Sequence, residues 1–204
     1  VKAGADAGLS EDFIKIVFKA IHQESINKQE KVLSSAFRDA GYATAHFGKW
    51  HLNYSGVGLE HPLEAGDPHN PGELGFDYWV SHTSGFDLFD LDGGRFALSR
   101  MGTREVFQGD GSEVIVDEAM KFITKQVATG TPVFVVIWYS TPHGPWSATD
   151  QDIAPFLGQV DRSSAHMHGE LVAMDRSIGT LRKGLRDLGI ADNTLVWFTR
   201  DNGG

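Results

Sequence analysis

The chain of 204 residues contains no cysteine. Disulfide bonds, thiolate nucleophiles and cysteine-based zinc sites are therefore excluded within this sequence. The longest uninterrupted apolar run, Val133 to Tyr139, is far shorter than the roughly 20 residues that a membrane-spanning helix requires. No charged segment followed by an apolar one occurs at the start of the sequence. We therefore expect neither a membrane span nor a signal peptide in this sequence.

Positive charge is also scarce, with 18 Lys and Arg residues against 27 Asp and Glu residues and a formal net charge of −9. This balance argues against nucleic acid or an anionic membrane as the main partner. If the substrate is an anion, the positive charge that binds it must be concentrated locally. The length predicts a single domain over residues 1–204, in which residues 1–30 form a leader segment without a recognisable motif.

Helical and strand-like patterns alternate along the chain. Apolar residues at helical spacing predict helices over 10–24, 28–40, 112–128 and 164–188. Continuous apolar or half-apolar runs predict strands over 42–47, 133–139 and 194–199, the last two buried on both faces. This order predicts an α/β fold, a three-layer sandwich with a mostly parallel central sheet.

The span 53–113 has no strong periodicity and contains eleven glycines and three prolines. It is therefore predicted to be an irregular insertion on the substrate side, with short strands such as 77–81. Its acidic residues Asp87, Asp90 and Asp92 do not form an EF-hand loop, because no glutamate closes a twelve-residue count from Asp87 or Asp90. A solvated or pocket-rim acidic loop is the better interpretation.

The stretch 41–52 combines a glycine turn, a cation and an imidazole. Gly48 allows a sharp turn, and Lys49 and His51 lie two residues apart, so that both project to one side of an extended segment. A lysine beside a histidine suits an anionic substrate. A phosphate-binding loop of the Gly-x₄-Gly-Lys-Ser/Thr type is rejected, because Ala43 and Trp50 occupy two of its required positions.

Two further predicted strands also end in polar residues that can do chemistry. His143 follows the strand over 133–139, and Asp201 and Asn202 follow the strand over 194–199. Ligands of open α/β sheets bind outside the carboxyl ends of the strands, so we expect these residues to converge with Lys49 and His51. The histidines could act as general acid and base, Lys49 could neutralise an oxyanion, and the two oxygen donors suit Ca²⁺ or Mg²⁺.

Other catalytic patterns are missing from the sequence. It has no Gly-x-Ser-x-Gly, His-Glu-x-x-His or Gly-x-Gly-x-x-Gly motif. His166 and His168 flank the start of the last predicted helix, where solvent-facing polar residues are the default interpretation.

Taken together, these motifs resemble the sulfatase family of the alkaline-phosphatase-like superfamily. The resemblance covers residues 31–204. It is carried by Gly41-Tyr-Ala-Thr with Gly48-Lys-Trp-His-Leu52, Gly75-Phe-Asp-Tyr-Trp79, Thr141-Pro-His-Gly-Pro145, Asp175-Arg-Ser-Ile-Gly179, and Asp192-Asn-Thr-Leu with Thr199-Arg-Asp-Asn-Gly-Gly204.

The resemblance implies hydrolysis of a sulfate ester, often on a carbohydrate, by a periplasmic, secreted or lysosomal enzyme. It implies a formylglycine nucleophile, made from Cys or Ser in a Cys/Ser-x-Pro-x-Arg motif, and a calcium ion that polarises the sulfate. By motif position, Lys49 would contact the sulfate and nucleophile oxygens and His51 would handle the nucleophile's proton. His143 would bind sulfate and assist the leaving group, while Asp201 and Asn202 would be calcium ligands.

The sequence departs from the family pattern in two ways. No Cys/Ser-x-Pro-x-Arg motif occurs in it, and Arg200 occupies a position that is usually serine, next to the expected metal ligands. The chain alone is therefore expected to be inactive. Two alternatives to a sulfatase stay open: a phosphate or phosphonate ester hydrolase of the same superfamily, and a non-catalytic relative that binds sulfated glycans.

Overall fold

The computed structural model describes residues 31–52, 63–83 and 98–199. Within them the regular elements are α1 (31–39), β1 (Ala43–Lys49), β2 (Tyr78–His82), β3 (Leu98–Arg100), β4 (Thr103–Glu105), α2 (Gly111–Ala128), β5 (Val133–Trp138), α3 (Asp150–Ile153) and α4 (Arg162–Asp187). Short 3₁₀ turns cover Ala154–Phe156 and Ala191–Asn193. The predicted helix over 10–24, the leader segment and the acidic loop with Asp87, Asp90 and Asp92 lie outside the described residues.

The strands form one open five-stranded sheet in the order β4-β3-β2-β1-β5. Strand β1 runs parallel to both β2 and β5, whereas the β2–β3 and β3–β4 pairs are antiparallel. The α/β prediction is confirmed, and the sheet is parallel in the part where β2, β1 and β5 end side by side. The two antiparallel strands arise from the span that the sequence showed as irregular.

Helices cover both faces of this sheet. One face packs against α2 through an apolar cluster that includes Phe47, Val80, Ile115 and Phe122. The opposite face carries a second cluster rich in tryptophan, and there Phe37 of α1 stacks on Phe134 of β5 with ring centroids 4.2 Å apart. The sheet is thus the middle layer, as predicted.

The last two apolar runs differ from the prediction. All six residues of β5 are only half-buried, because within the described residues β5 pairs with β1 alone and forms the edge of the sheet. Residues 194–199 form no strand pairing, and Leu195 and Trp197 are 85% and 82% exposed. The prediction of two strands buried on both faces is therefore wrong here. Apolar content shows that a segment can be buried, whereas burial itself depends on neighbouring strands that lie beside it.

Aspartate side chains cap the N-termini of the two long helices, α2 and α4. The Asp110 side chain accepts hydrogen bonds from the backbone N–H groups of Ser112 and Glu113 at the start of α2, and Asp161 caps α4 in the same way. Ser112, at which the predicted helix over 112–128 begins, is thus not the capping residue. The Ser112 hydroxyl instead lies 3.2 Å from the Thr141 hydroxyl, in the segment that follows β5.

A histidine is fully buried in the sheet. His46 of β1 is enclosed by the rings of Trp50, Phe76 and Trp138, and its Nδ1 lies 2.7 Å from the Ser81 hydroxyl. Burial, together with the nearby charge of His82, lowers the pKa of His46 well below its ordinary value of 6.5. The imidazole is therefore neutral in the folded chain at neutral pH.

We expect this histidine to make stability pH-dependent. Below the ordinary pKa of 6.5, the unfolded chain binds a proton at His46 and the folded chain does not, so the unfolding free energy decreases as pH falls, by up to about 1.4 kcal/mol per pH unit. Urea unfolding of the chain between pH 7.5 and 5.5 measures this slope. His46→Phe should reduce this slope, because the variant has no imidazole at position 46 to protonate in the unfolded chain. An unaltered slope in His46→Phe would contradict the assignment.

Candidate functional site

The carboxyl ends of β2, β1 and β5 lie next to each other at one edge of the sheet. Lys49 is in register with His82, and the preceding residue, Gly48, is in register with Trp138 of β5. Because the three strands are parallel, the residues that follow them share this edge. The predicted meeting of Lys49 and His51 with the His143 segment at one sheet edge agrees with this topology.

The backbone beyond β1 stays attached to β2. The Trp50 N–H donates to the His82 carbonyl and the His51 N–H donates to the Thr83 carbonyl, both at 2.8 Å. Lys49 is half-buried, and His51 is exposed. His51 has a φ of 53°, in the left-handed region that non-glycine residues rarely adopt. The backbone at His51 is therefore not extended, so the expectation that Lys49 and His51 project to one side of an extended segment does not hold. Backbone strain of this kind is concentrated at functional sites.

Trp50 anchors the segment between these two polar residues. Its side chain is 1% exposed, its Nε1 donates to the His69 carbonyl at 2.6 Å, and its ring stacks on Trp138 at a centroid distance of 5.6 Å. A large buried ring with a satisfied N–H group holds the backbone on both sides of it. The positions of Lys49 and His51 are thus fixed by the core and not by a mobile loop.

His143 lies in the segment after β5, which we call the histidine loop (139–149). The His143 N–H donates to the Ser140 carbonyl at 3.0 Å, and the peptide bonds before Pro142 and Pro145 are cis. The exposed imidazole places its Nδ1 2.6 Å from the Gly144 carbonyl. Since a carbonyl can only accept, Nδ1 carries the proton, and Nε2 is the nitrogen that can exchange a proton with a ligand.

Sequence reasoning missed two residues at this edge. His82 ends β2 and is 4% exposed, and its Nε2 lies 3.4 Å from the hydroxyl of Ser140, which follows β5. The contact connects the two strands that flank β1. In the sequence, His82 directly follows the short strand predicted over 77–81. Only the order of the strands in the sheet shows that His82 lies beside Lys49.

The predicted metal ligands Asp201 and Asn202, together with Arg200, lie outside the described residues. Within 31–52, 63–83 and 98–199, no group of three or more His, Cys, Asp or Glu side chains could hold a metal ion. The metal site therefore stays a prediction that depends on residues after Thr199. None of the helices in these same ranges combines the length and apolar character needed to cross a membrane.

An open α/β sheet with a lysine and histidines at its carboxyl edge defines an α/β protein with a candidate site for an anionic ligand. A family model described as Sulfatase matches residues 8–204, so the chain belongs to the sulfatase family. This confirms the resemblance and extends it towards the start of the chain, where the sequence showed no motif.

Curated relatives are sulfatases. The chain is 31% identical over 193 residues to N-acetylgalactosamine-6-sulfatase of Canis lupus familiaris, covering 87% of this chain and 34% of that protein. It is 27% identical over 194 residues to an ulvan-active sulfatase of Formosa agariphila, covering 86% of this chain and 35% of that protein. The chain thus spans about a third of the length of these relatives.

A solved structure confirms the fold. The crystal structure of Ps i-CgsB in complex with k-i-k-neocarrahexaose superposes with a TM-score of 0.65 at 23% identity, covering 79% of this chain and 37% of that chain. The alkaline-phosphatase-like α/β fold predicted from the sequence is therefore present in part.

Proposed function

We propose that the complete protein hydrolyses sulfate esters of a carbohydrate, and that this chain is part of its catalytic domain. The match to the sulfatase family carries the proposal. The names of the similar proteins support the substrate class, since one is active on ulvan and another acts on an N-acetylgalactosamine 6-sulfate. In this proposal the span 53–113, which supplies β2, β3 and β4, forms the substrate side of the site.

Three residues of this chain would act on the substrate. Lys49, held by its register with β2, would place its ammonium group against the non-bridging sulfate oxygens, which carry the negative charge of the group being transferred. His143, when protonated on both ring nitrogens, would donate the Nε2 proton to the departing sugar oxygen and keep the Nδ1 proton on the Gly144 carbonyl. His51 would hold or remove the proton of the attacking group.

The metal and the nucleophile are expected to complete this set. The carboxylate of Asp201 and the amide oxygen of Asn202 are hard donors that fit Ca²⁺, with Mg²⁺ as the alternative. When bound, such an ion polarises the sulfate group. The formylglycine nucleophile needs a Cys/Ser-x-Pro-x-Arg motif, which this sequence does not contain, so this chain alone is expected to be inactive.

The proposal is tested with the complete protein, produced together with a formylglycine-generating enzyme. We expect it to hydrolyse 4-nitrophenyl sulfate with a higher kcat/KM than 4-nitrophenyl phosphate, because the two esters differ mainly in charge and a sulfatase site is matched to the singly charged sulfate. A chelator should lower the rate, and added Ca²⁺ should restore it.

Two results would reject the proposal in favour of its alternatives. Faster hydrolysis of the phosphate ester would indicate a phosphate or phosphonate ester hydrolase. Binding of a sulfated oligosaccharide in calorimetry, without hydrolysis of either ester, would indicate a non-catalytic glycan-binding relative. The matched control is the same preparation made without the formylglycine-generating enzyme, which should be at least about a hundredfold slower if an activated nucleophile is required.

A further inference from the structure

The end of the histidine loop is held by side chains of α4. The Ser147 N–H donates to Oε1 of Glu170 at 2.5 Å, and the Ala148 N–H donates to Nδ1 of His166 at 3.1 Å. Two consecutive backbone donors of the loop are therefore satisfied by two acceptors from one helix. Because Nδ1 of His166 accepts this bond, the ring N–H of His166 is on Nε2 in this contact.

Gly169 allows the helix to come this close. A Cβ atom at residue 169 would lie 2.7 Å from the Cβ of Ala148 and 3.1 Å from Cγ2 of Ile153. Residues 166, 169 and 170 lie three and four positions apart and thus share one face of the helix. We call these three residues the α4 clamp. Because Gly169 has no side chain, the loop can approach α4 closely enough to bond to His166 and Glu170 on either side of it.

The carboxylate of the clamp is deeply buried. Glu170 is 1% exposed, and burying a carboxylate is unfavourable unless hydrogen bonds compensate for the lost water. The hydrogen bond from the Ser147 N–H provides part of this compensation and holds the end of the loop against α4.

The other end of the loop is also fixed. The Ser140 hydroxyl lies 3.4 Å from His82 of β2, and the Thr141 hydroxyl lies 3.2 Å from Ser112 of α2. Between these contacts and the α4 clamp lies the short segment 142–146, which carries His143. Its own contacts are local, from Nδ1 of His143 to Gly144 and from Trp146 to Pro142. The position of the imidazole thus depends on where the two ends are held.

We propose that Glu170 is a positioning residue for His143, acting together with His166 and Gly169. By fixing the backbone at Ser147 and Ala148, it holds Nε2 of His143 where a leaving-group oxygen can receive its proton. The catalytic consequence rests on the proposed function. The effect on the loop does not, because it concerns only the contacts within this chain.

The first test measures the loop in this chain. Glu170→Ala should accelerate hydrogen exchange of the Ser147 amide by about tenfold or more, since the amide loses its acceptor, and should shift or broaden the ring signals of His143 in a proton–carbon NMR spectrum. Glu170→Gln keeps an acceptor oxygen and should restore most of the protection. Asp187→Ala removes an exposed carboxylate of the same helix and should change neither signal.

The second test uses the complete protein and compares leaving groups. A poorly placed general acid slows the release of a basic sugar oxygen more than the release of a nitrophenolate, which needs little protonation. For Glu170→Ala we expect kcat on a carbohydrate sulfate to fall by about 10- to 100-fold, with about threefold or less on 4-nitrophenyl sulfate. Glu170→Gln should again recover most of the rate.

The outcomes separate this proposal from the proposed function. Equal losses on both substrates, or a Ser147 amide that exchanges no faster in Glu170→Ala, would overturn the positioning role. If the unmodified complete protein hydrolyses no sulfate ester, the proposed function fails instead. The exchange and ring-signal measurements on this chain then still decide whether Glu170 holds the loop that carries His143.

Discussion

Replacing Gly48 with alanine is expected to destabilise the folded chain by about 2 to 5 kcal/mol. Gly48 has a φ of +97°, a conformation that costs an L-residue roughly 1–2 kcal/mol. A Cβ atom there would also lie 2.1 Å from the carbonyl oxygen of Trp138, which is backbone and cannot rotate away. Relieving this overlap requires β1 and β5 to separate, and overpacking of this kind costs about another 1–3 kcal/mol.

A second glycine provides the control for this experiment. Gly130 also has a positive φ, of +70°, but a Cβ atom there would meet nothing within 4 Å. Gly130→Ala should therefore lose only the conformational part, about 1–2 kcal/mol. Urea unfolding of both variants against the unmodified chain separates the two contributions. Equal losses at the two positions would show that the close approach of β1 to β5 is unimportant.

Part of the candidate site could be predicted from local sequence patterns. A glycine directly before Lys49 is visible in the sequence, and so is the rigid segment around His143, with its two prolines and one glycine. Both patterns are local, because turn chemistry and apolar runs depend on neighbours in the chain. The helices α2 and α4 were predictable for the same reason.

The short strand predicted over 77–81 is observed as β2, whereas β3 and β4 were not predicted from the sequence. Leu98–Arg100 and Thr103–Glu105 have three residues each, and three residues cannot show a periodic pattern. Strand β3 forms because β2 provides a partner, through pairs such as Val80 with Arg100, and β4 in turn pairs with β3. The role of His82 was missed for the same reason, since its neighbour Ser140 is 58 positions away in the sequence.

Residues 194–199 show the limit of reasoning from composition. Their apolar and β-branched side chains are typical of a buried strand, yet Trp197 is 82% exposed and unpaired within the described residues. Strand propensity expresses how well a segment fits a paired, half-buried surface, and such a surface must be supplied by another strand. The free edge of β5 and this segment both lack that neighbour in the part of the chain that the structure describes.

Lys49→Met in the complete protein is expected to lower kcat/KM for an aryl sulfate by about a hundred- to a thousandfold, the effect of removing one preorganised donor from a developing oxyanion. Methionine keeps most of the apolar length of the lysine side chain and removes only its charge. The unfolding midpoint of the variant is measured as well, so that a loss of activity can be separated from a loss of stability. Steady-state kinetics and urea unfolding of the same preparation provide both quantities.

Charge alone should not restore this activity. Lys49→Arg keeps a cation but replaces a compact ammonium with a wider planar group, so it should recover only part of the rate. Lys125→Met, at an exposed position on α2, removes the same charge away from the sheet edge and should leave kcat/KM unchanged. If Lys49→Met and Lys125→Met had similar effects, the lysine would act through the overall field of an acidic protein. A loss confined to Lys49→Met would instead assign Lys49 to the binding of the sulfate group.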